Sequence, residues 1–344
     1  MKNQADAIKT FITENVETHP TNIVNITMEK FNVTRPTVHR HLTHLIENNQ
    51  IEKSGKTNQT KYFLKTSFNK ELSYKITQDL SESQIWQDEF NAQAGKLKSN
   101  VQEICYYGFT EMVNNAKDHS EGSSVVIGST MEDNLLVFTI YDNGIGIFKK
   151  IKDAFKLQNE RESILQLSKG KLTTSRENHS GEGIFFTSRA FDSFSILANG
   201  LFYLRDNSQQ DWLLEERKNS GERSTLVTLK IKTNSDRVLR NVFEKFQNPE
   251  TLAFDRTHIL VILSLSNEDH FVSRSEAKRI LAGIEKFNLV TLDFKGIKSV
   301  GQAFVDEVFR VFKNRFPAIQ IETINTNEDI DFMIKRGIET AKIL

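Results

Sequence analysis

Hydrophobic residues near the amino terminus recur every three or four positions, a spacing that predicts short amphipathic helices. Thr34 is a suitable cap for the third of them, because Pro36 follows where a helix favours proline. Two alternating segments behind it predict paired strands around a polar loop. Residues 1–66 are therefore expected to form a winged helix-turn-helix. The predicted elements are helices at 5–16, at Ile26–Phe31 and from Thr34, and strands at Ile51–Lys53 and Tyr62–Leu64.

The pattern changes twice more along the chain. Residues 67–100 are polar with helical stretches and are expected to be a helical connector. In residues 101–248 helices and strands are mixed in an order that predicts an α/β sandwich. The expected elements are helices at Tyr107–His119, Phe148–Leu167 and Ile184–Phe191, and strands at Ser124–Gly128, Leu135–Tyr141, Ser193–Ala198, Leu201–Arg205 and Thr225–Ile231.

Strands and helices alternate in residues 249–344, which predicts a small parallel sheet with right-handed crossovers. The whole chain is therefore expected to be a multi-domain α+β protein. The elements expected here are strands at His258–Leu265, Leu289–Phe294 and Ile319–Thr323, and helices at Ser275–Phe287 and Gly301–Phe316.

The amino-acid composition excludes only a few kinds of site and partner. The 344 residues carry 45 basic and 45 acidic side chains, so any affinity for nucleic acid must come from a local patch. Cys105 is the one cysteine, which excludes an internal disulfide and fits a reducing compartment. No apolar stretch is long enough for a membrane span. These features predict a cytoplasmic protein without a membrane partner.

Three separated segments of the predicted sandwich carry polar residues and glycines where a ligand could use them. Glu111, Asn115 and Asp118 stand at i, i+4 and i+7 of a helix and hence on one face. Burying such groups is unfavourable unless a ligand satisfies them, and a metal with a phosphate tail would do so. The alternative interpretation is a solvated helix face.

The second segment is Asp142-Asn-Gly144-Ile-Gly146, directly after a buried strand. A carboxylate at a strand end can accept a hydrogen bond from an exocyclic amine, and glycines let the backbone approach a flat base. The third segment, with Gly181 and Gly183, opens a helix whose N–H groups and dipole favour a polyphosphate. Each segment is weak evidence alone, but the three together in this order predict a nucleotide site.

The ordered set resembles the N, G1 and G2 boxes of the GHKL superfamily, which includes gyrase and the histidine kinases. The resemblance covers about 130 residues and implies a Bergerat-type ATP site. It assigns Asn115 to Mg²⁺, Asp142 to the adenine amine, and Gly144, Gly146, Gly181 and Gly183 to the walls. Residues 169–180 resemble the superfamily's ATP lid, where Lys169, Lys171 and Thr174 could contact phosphate. An exposed polar loop would have the same composition.

Hydrolysis and phosphotransfer both remain open from these motifs. Glu111 with Asp118 resembles the hydrolysing branch, in which the glutamate acts as the base for water. Serine kinases of anti-sigma-factor antagonists also carry the glutamate, together with a histidine where this chain has His119. We expect slow hydrolysis or an ATP-gated switch, with a protein serine kinase and a non-catalytic ATP-binding module as alternatives.

The run from Leu289 through Gly301 resembles a STAS fold, and more narrowly an uncharacterised STAS-like module that often follows such an ATPase. This resemblance implies a possible protein partner for residues 249–344. The phosphorylated serine of STAS antagonists precedes the glycine, and Val300 occupies that position here. Ser299 lies beside it, but Lys298 replaces the expected aspartate, which disfavours phosphorylation within the chain.

The third amino-terminal helix is the predicted DNA-reading element. Residues 1–66 contain nine Lys and Arg against six acidic residues, a net charge of +3. This modest positive patch fits contacts with the phosphates of double-stranded DNA and entry of the helix into its major groove. A winged helix can instead serve protein docking, and a homodimer is also compatible with the sequence. The candidate DNA contacts are Arg35, Thr37, Arg40, His41 and Lys56.

Overall fold

The computed structural model describes residues 2–16, 18–48, 50–55, 60–64, 68–172, 181–209, 211–216, 223–265 and 271–343. The chain divides into two compact units, Met1–Lys70 and Glu71–Leu344. Within the described ranges, no helix is long and apolar enough to cross a membrane. The protein is a multi-domain mixture of helices and sheets.

The first unit contains three helices and an antiparallel hairpin. Asn32 ends the second helix in the left-handed conformation, with φ of 48°, and its N–H bonds to the carbonyl of Met28. Apolar side chains from all three helices and the first strand form one buried core, which includes Ile12, Val38 and Ile51. The elements are α1 (Lys2–Asn15), α2 (Ile23–Phe31), α3 (Arg35–Glu47), β1 (Ile51–Ser54) and β2 (Lys61–Leu64).

A seven-stranded sheet, in the order β3-β4-β5-β9-β6-β7-β8, organises the second unit. Fully buried side chains alternate with half-buried ones along the third strand of this order, Leu135–Asp142, so one face of that strand is tightly packed. The strands are β3 (Lys70–Lys75), β4 (Ser124–Glu132), β5 (Leu135–Asp142), β6 (Ser193–Ala198), β7 (Leu201–Asp206), β8 (Asp211–Glu216) and β9 (Thr225–Lys232).

The segment expected to be a connector is part of this sandwich. It supplies the edge strand β3 and two short helices, and Trp86 and Phe90 pack against Phe109 and Phe138 with ring centroids 5.2 to 6.0 Å apart. The helices of the sandwich are α4 (Glu82–Glu89), α5 (Asn91–Ala94), α6 (Ser99–His119), α7 (Ile147–Phe155), α8 (Glu160–Lys169), α9 (Gly183–Ala190) and α10 (Leu239–Phe246).

The long helix expected at Phe148–Leu167 is two helices. Lys156 ends α7 in the left-handed conformation, with φ of 53°. Asn159 then begins α8, and its side chain accepts a hydrogen bond from the N–H of Glu162. Asparagine is a strong N-cap, and its local bonding competes with a continuous helix.

The carboxyl-terminal part is a three-stranded parallel sheet, in the order β10-β12-β14, with helices around it. The strand expected at His258–Leu265 ends at Leu260 and continues as a 3-10 turn over Val261–Ser264. The helix expected at Gly301–Phe316 contains a π-helical stretch, Asp306–Phe312. The remaining elements are β10 (Arg256–Leu260), β11 (Phe271–Val272), α11 (Arg274–Leu281), β12 (Leu289–Asp293), β13 (Ser299–Val300), α12 (Gln302–Val305), α13 (Lys313–Arg315), β14 (Gln320–Ile324) and α14 (Glu328–Ile343).

An aromatic cluster joins this sheet to the sandwich. The ring of Phe254 lies 4.7 Å from that of Phe185 and 4.9 Å from that of Phe186, both on α9. Phe287 extends the cluster on the other side, 5.4 Å from Phe254. Aromatic rings at these separations bury large apolar areas, which explains why residues 71–344 form one unit.

Gly108 should be essential to the crossing of α6 and α9, because a Cβ there would lie 2.2 Å from a ring carbon of Phe191. We predict that Gly108→Ala lowers the free energy of unfolding by about 1 to 3 kcal/mol, the usual effect of overpacking. Urea unfolding measures this loss. The control is Gly95→Ala, whose Cβ would meet its nearest atom at 3.4 Å and should leave stability unchanged. Equal stability of the two variants would contradict the packing account.

Candidate functional site

A cavity of about 360 Å³ lies between α6, the end of β5 and the start of α9. This volume is within the range of small-molecule sites. Five of the residues selected from the sequence line it together, although they come from three separate segments. They are Glu111, Asn115, Asp142, Gly181 and Gly183.

The amide of Asn115 is the least satisfied group in this cavity. Its Nδ2 is buried and has no hydrogen-bond partner among the described residues. A buried polar atom left without a partner destabilises the protein by about 1 to 3 kcal/mol. A half-turn about the last side-chain bond exchanges the amide oxygen and nitrogen, so either atom can face a ligand. A bound oxygen-rich group or a cation would remove this penalty.

The carboxylate of Glu111 lies close to the start of α9. A Cβ on Gly183 would lie 2.0 Å from Oε2 of Glu111. The carboxylate therefore lies against the first turn of α9, where the helix dipole favours negative charge. An anionic ligand at this helix start would come close to a carboxylate that can accept a proton.

Asp142 ends β5 and is almost completely buried. Burial raises the pKa of Asp142 to about 6, although hydrogen bonds from Gly144 and Thr225 oppose this shift. The N–H of Gly144 donates to Oδ1 at 3.0 Å. A buried carboxylate with these partners can hold a ligand amine in one orientation.

Thr225 belongs to this part of the cavity and was not selected from the sequence. It lies opposite Asp142 in the pairing of β5 with β9, and it lines the cavity. Its hydroxyl also accepts a hydrogen bond from the N–H of Ile147 at 3.1 Å. Strand register over such a sequence distance has no local signal, so only the pairing identifies this residue.

Gly144 and Gly146 shape the turn after β5 and do not line the cavity. A Cβ on Gly144 would lie 2.1 Å from the carbonyl oxygen of Ser120. Gly146 has φ of 84°, and a Cβ there would meet the Asn199 amide at 2.2 Å. The two glycines therefore allow the turn to pack on the end of α6 and on the β6–β7 turn.

Two other selected residues lie away from the cavity. Asp118 is exposed and does not line it, whereas the next two residues, His119 and Ser120, do. The Nζ of Lys171 donates to the carbonyl of Lys286 at 2.8 Å, outside the cavity lining. Thr174 lies outside the described residues.

No cluster of three or more His, Cys, Asp or Glu side chains that could hold a metal ion exists within the described ranges. A divalent cation near Asn115 would therefore need oxygen atoms from a ligand. Mg²⁺ commonly binds in this way, with one or two protein oxygens and the phosphates of a substrate.

The exposed side of α3 differs from the expectation at one residue. Arg35 and Arg40 are exposed and Thr37 is half-buried, in agreement with an outward-facing surface. The expectation for His41 was wrong, since only 7% of it is exposed. His41 follows Val38 by three positions and precedes Leu45 by four, so it shares their buried face. Lys56 lies outside the described residues.

Comparison with known proteins identifies one segment. Residues 276–331 match the family described as a STAS-like domain of unknown function (DUF4325), which confirms the STAS-like prediction for this part of the chain. The matched segment begins in α11 and ends in α14. No curated protein matches the chain.

We predict that Asp142→Asn changes the pH dependence of stability. The folded-state pKa of about 6 exceeds the ordinary value of 3.8, so Asp142 stabilises the fold most at acidic pH. This contribution is lost as the pH rises through about 6. The free energy of unfolding of the variant relative to wild type should thus increase by about 3 kcal/mol between pH 4 and 7.

Urea unfolding at four pH values between 4 and 7 tests this shift. Asp153→Asn is the control: the hydrogen bond from Lys149 lowers the pKa of the exposed Asp153 below the ordinary value of 3.8, so its contribution is lost only below that pH and the difference from wild type should stay nearly constant between pH 4 and 7. If the stability difference between Asp142→Asn and wild type stayed constant with pH, the pKa of Asp142 would not be raised in the folded protein.

Proposed function

We propose that residues 101–248 form a Bergerat-type site that binds ATP with Mg²⁺, and that the protein is an ATP-dependent regulator. The observation that carries the proposal is the single cavity shared by Glu111, Asn115, Asp142, Gly181 and Gly183. These residues come from three motifs that resemble the GHKL superfamily in their order. Independent turns and helices would have no reason to converge in this way.

Asp142 and Thr225 would hold the adenine end of the nucleotide. The carboxylate can accept from the exocyclic amine of adenine, whereas guanine offers a carbonyl at the same position. The hydrogen bonds from Gly144 and Thr225 orient the carboxylate before any ligand binds. The proposal therefore includes a preference for adenine over guanine nucleotides.

Asn115 and the start of α9 would hold the phosphate end. Asn115 has an unsatisfied buried amide, and its oxygen is a suitable ligand for Mg²⁺. Bound Mg²⁺ would neutralise charge on the phosphate oxygens. The N–H groups of the first turn of α9, which begins at Gly183, would complete the phosphate site.

Glu111 is the candidate general base. It is within the same cavity as Asn115, and its carboxylate borders the first turn of α9. A base at this position can accept a proton from an attacking water, which in-line displacement at the γ-phosphate requires. These features favour slow hydrolysis or an ATP-gated switch.

A protein serine kinase acting on a separate STAS partner is the second candidate function. His119, the histidine on which the resemblance to those kinases rests, lines the cavity. Phosphorylation within this chain is disfavoured, because Val300 has no hydroxyl group and Ser299 is half-buried on β13. The acceptor would then have to be another protein.

The first unit is proposed to be a winged helix-turn-helix that binds double-stranded DNA. Support comes from its three helices and hairpin and from the exposed side chains of Arg35 and Arg40 on α3. Lys53 and Lys61 are exposed on the hairpin and could contact phosphate. ATP binding would then be coupled to DNA binding; without DNA binding, the protein would be an ATP-gated assembly module.

Glu111→Gln should bind ATP as wild type does and lose about two orders of magnitude or more in turnover, because the amide cannot accept the proton. Incubation with γ-labelled ATP distinguishes the outcomes, since free phosphate indicates hydrolysis and labelled protein indicates transfer. Glu103→Gln, an exposed position on the same helix, is the control and should keep full turnover. Hydrolysis by Glu111→Gln at the wild-type rate would exclude Glu111 as the base.

Replacing Arg35 and Arg40 by Ala should weaken DNA binding and reduce its dependence on salt, because fewer counterions are released. Loss of sequence preference should accompany the weaker affinity if either arginine reads guanine. Lys53→Ala with Lys61→Ala is the matched pair, which should lower affinity for all sequences alike. The measurement is fluorescence anisotropy on fragments flanking the gene, with and without ATP. No binding by wild type at low salt would identify a protein-docking module.

A further inference from the structure

The backbone that enters and leaves residues 173–180 forms one wall of the cavity. We call Lys169 to Leu172 together with Gly181 the lid stem. Leu172 and Gly181 both line the cavity, and the N–H of Leu172 donates to the carbonyl of Gly181 at 3.3 Å. A Cβ on Gly181 would lie 2.5 Å from the backbone of Leu172, so the two backbone segments of the lid stem are in close contact. A shift of the stem would therefore change the cavity itself.

Lys171 connects the lid stem to the carboxyl-terminal domain. Its Nζ donates to the carbonyl of Lys286 at 2.8 Å and lies 4.8 Å from the centre of the Phe287 ring and 5.6 Å from that of Phe254. In return, the Nζ of Lys286 approaches the carbonyl of Lys171 at 3.5 Å. A charged hydrogen bond and two aromatic faces hold one ammonium group. The side chain and the backbone of residue 171 are thus both restrained.

Lys169 makes a second connection, two residues earlier. It is 2% exposed, and its Nζ donates to the carbonyls of Arg279 and Ala282 at 2.7 and 2.8 Å. These carbonyls are at the end of α11, where the helix dipole favours a cation. The carbonyl of Lys169 accepts a hydrogen bond from Thr257 on β10 at 2.7 Å. Burial lowers the pKa of Lys169 to about 7.

The backbone between Lys169 and Lys171 has little freedom to change its conformation. Gly170 has φ of 81°, and a Cβ there would lie 2.6 Å from the ring of Phe254. Lys171 is itself in the left-handed conformation, with φ of 54°. A lysine in that conformation is uncommon and needs support from tertiary contacts. Lys286, Phe287 and Thr257 supply those contacts from the carboxyl-terminal domain.

We infer that the STAS-like domain positions one wall of the nucleotide site, and that Lys171 and Lys169 are the positioning residues through which it does so. This inference rests on the proposed ATP site and gives residues 276–331 a role within the chain. Lys171 then acts on the nucleotide through Leu172 and Gly181, and it is not a phosphate contact. By linkage, a partner that moves the end of α11 would change ATP affinity, and ATP would change the affinity for that partner by the same factor.

The test compares Lys171→Met, Lys171→Arg and Asp211→Asn with wild type, all in the full chain. Met removes the cation but keeps the length of the side chain, and Arg restores the cation. Asp211→Asn is the matched control, since Asp211 of β8 pairs with Lys295 of the carboxyl-terminal domain at 3.5 Å and contacts neither lysine of the lid stem. Urea unfolding measures how much each variant weakens the interface in general.

Two measurements then report on the lid stem. Hydrogen exchange without nucleotide should show faster exchange of the Leu172 amide in Lys171→Met and wild-type exchange in the other two variants. Calorimetry with ATP and Mg²⁺ should show about tenfold weaker binding in Lys171→Met only, an effect within the usual range of coupling between sites. Recovery in Lys171→Arg would separate positioning from a simple loss of packing.

The two proposals fail in different ways. If the wild-type protein bound no ATP, the proposed function would be wrong. Hydrogen exchange would still show whether Lys171 positions the lid stem. Unchanged exchange and unchanged ATP affinity in Lys171→Met would overturn the inference. Equal effects of Lys171→Met and Asp211→Asn on both readouts would also overturn it, because the interface would then act only through overall stability.

Discussion

Helices α6 and α9 approach each other closely because glycines leave space at their crossing. Gly108 accepts the ring of Phe191 at one point, and Gly183 accepts the carboxylate of Glu111 about one turn further along α6. This contact brings the polar face of α6 to the first turn of α9. The cavity with its Asn115 amide depends on it, and so does any chemistry between a base and a bound anion. A larger residue at Gly108 would push against the buried ring of Phe191, and one at Gly183 would displace the carboxylate of Glu111.

Two groups that burial disfavours lie at this crossing and at the adjoining end of β5. Asp142 is a buried acid with a raised pKa, and Asn115 has a buried amide atom without a hydrogen-bond partner in the described part of the chain. At neutral pH neither group stabilises the fold by itself. Such local conflicts with folding are expected where a ligand must be bound, because the ligand supplies the missing partner.

The local motifs were predictable from the sequence, whereas the long-range partners were not. Glu111, Asn115 and Asp142 were selected from helical spacing and a strand end, which are visible in a short window, and all three line the cavity. Thr225 was missed because its position depends on the pairing of β5 with β9. The positive charge of Lys171 suggested a phosphate contact, yet its ammonium group donates a hydrogen bond to the carbonyl of Lys286. Edge strand β3 was missed because its six residues are only half-buried on alternate positions.

Calorimetric titration of the full chain with a non-hydrolysable ATP analogue shows whether the cavity beside α6 binds ATP. We expect binding of one nucleotide per chain. The affinity should fall when Mg²⁺ is removed, and the matching GTP analogue should bind much more weakly. Absence of binding with Mg²⁺ present, or equal affinity for the two analogues, would contradict the proposed ATP site.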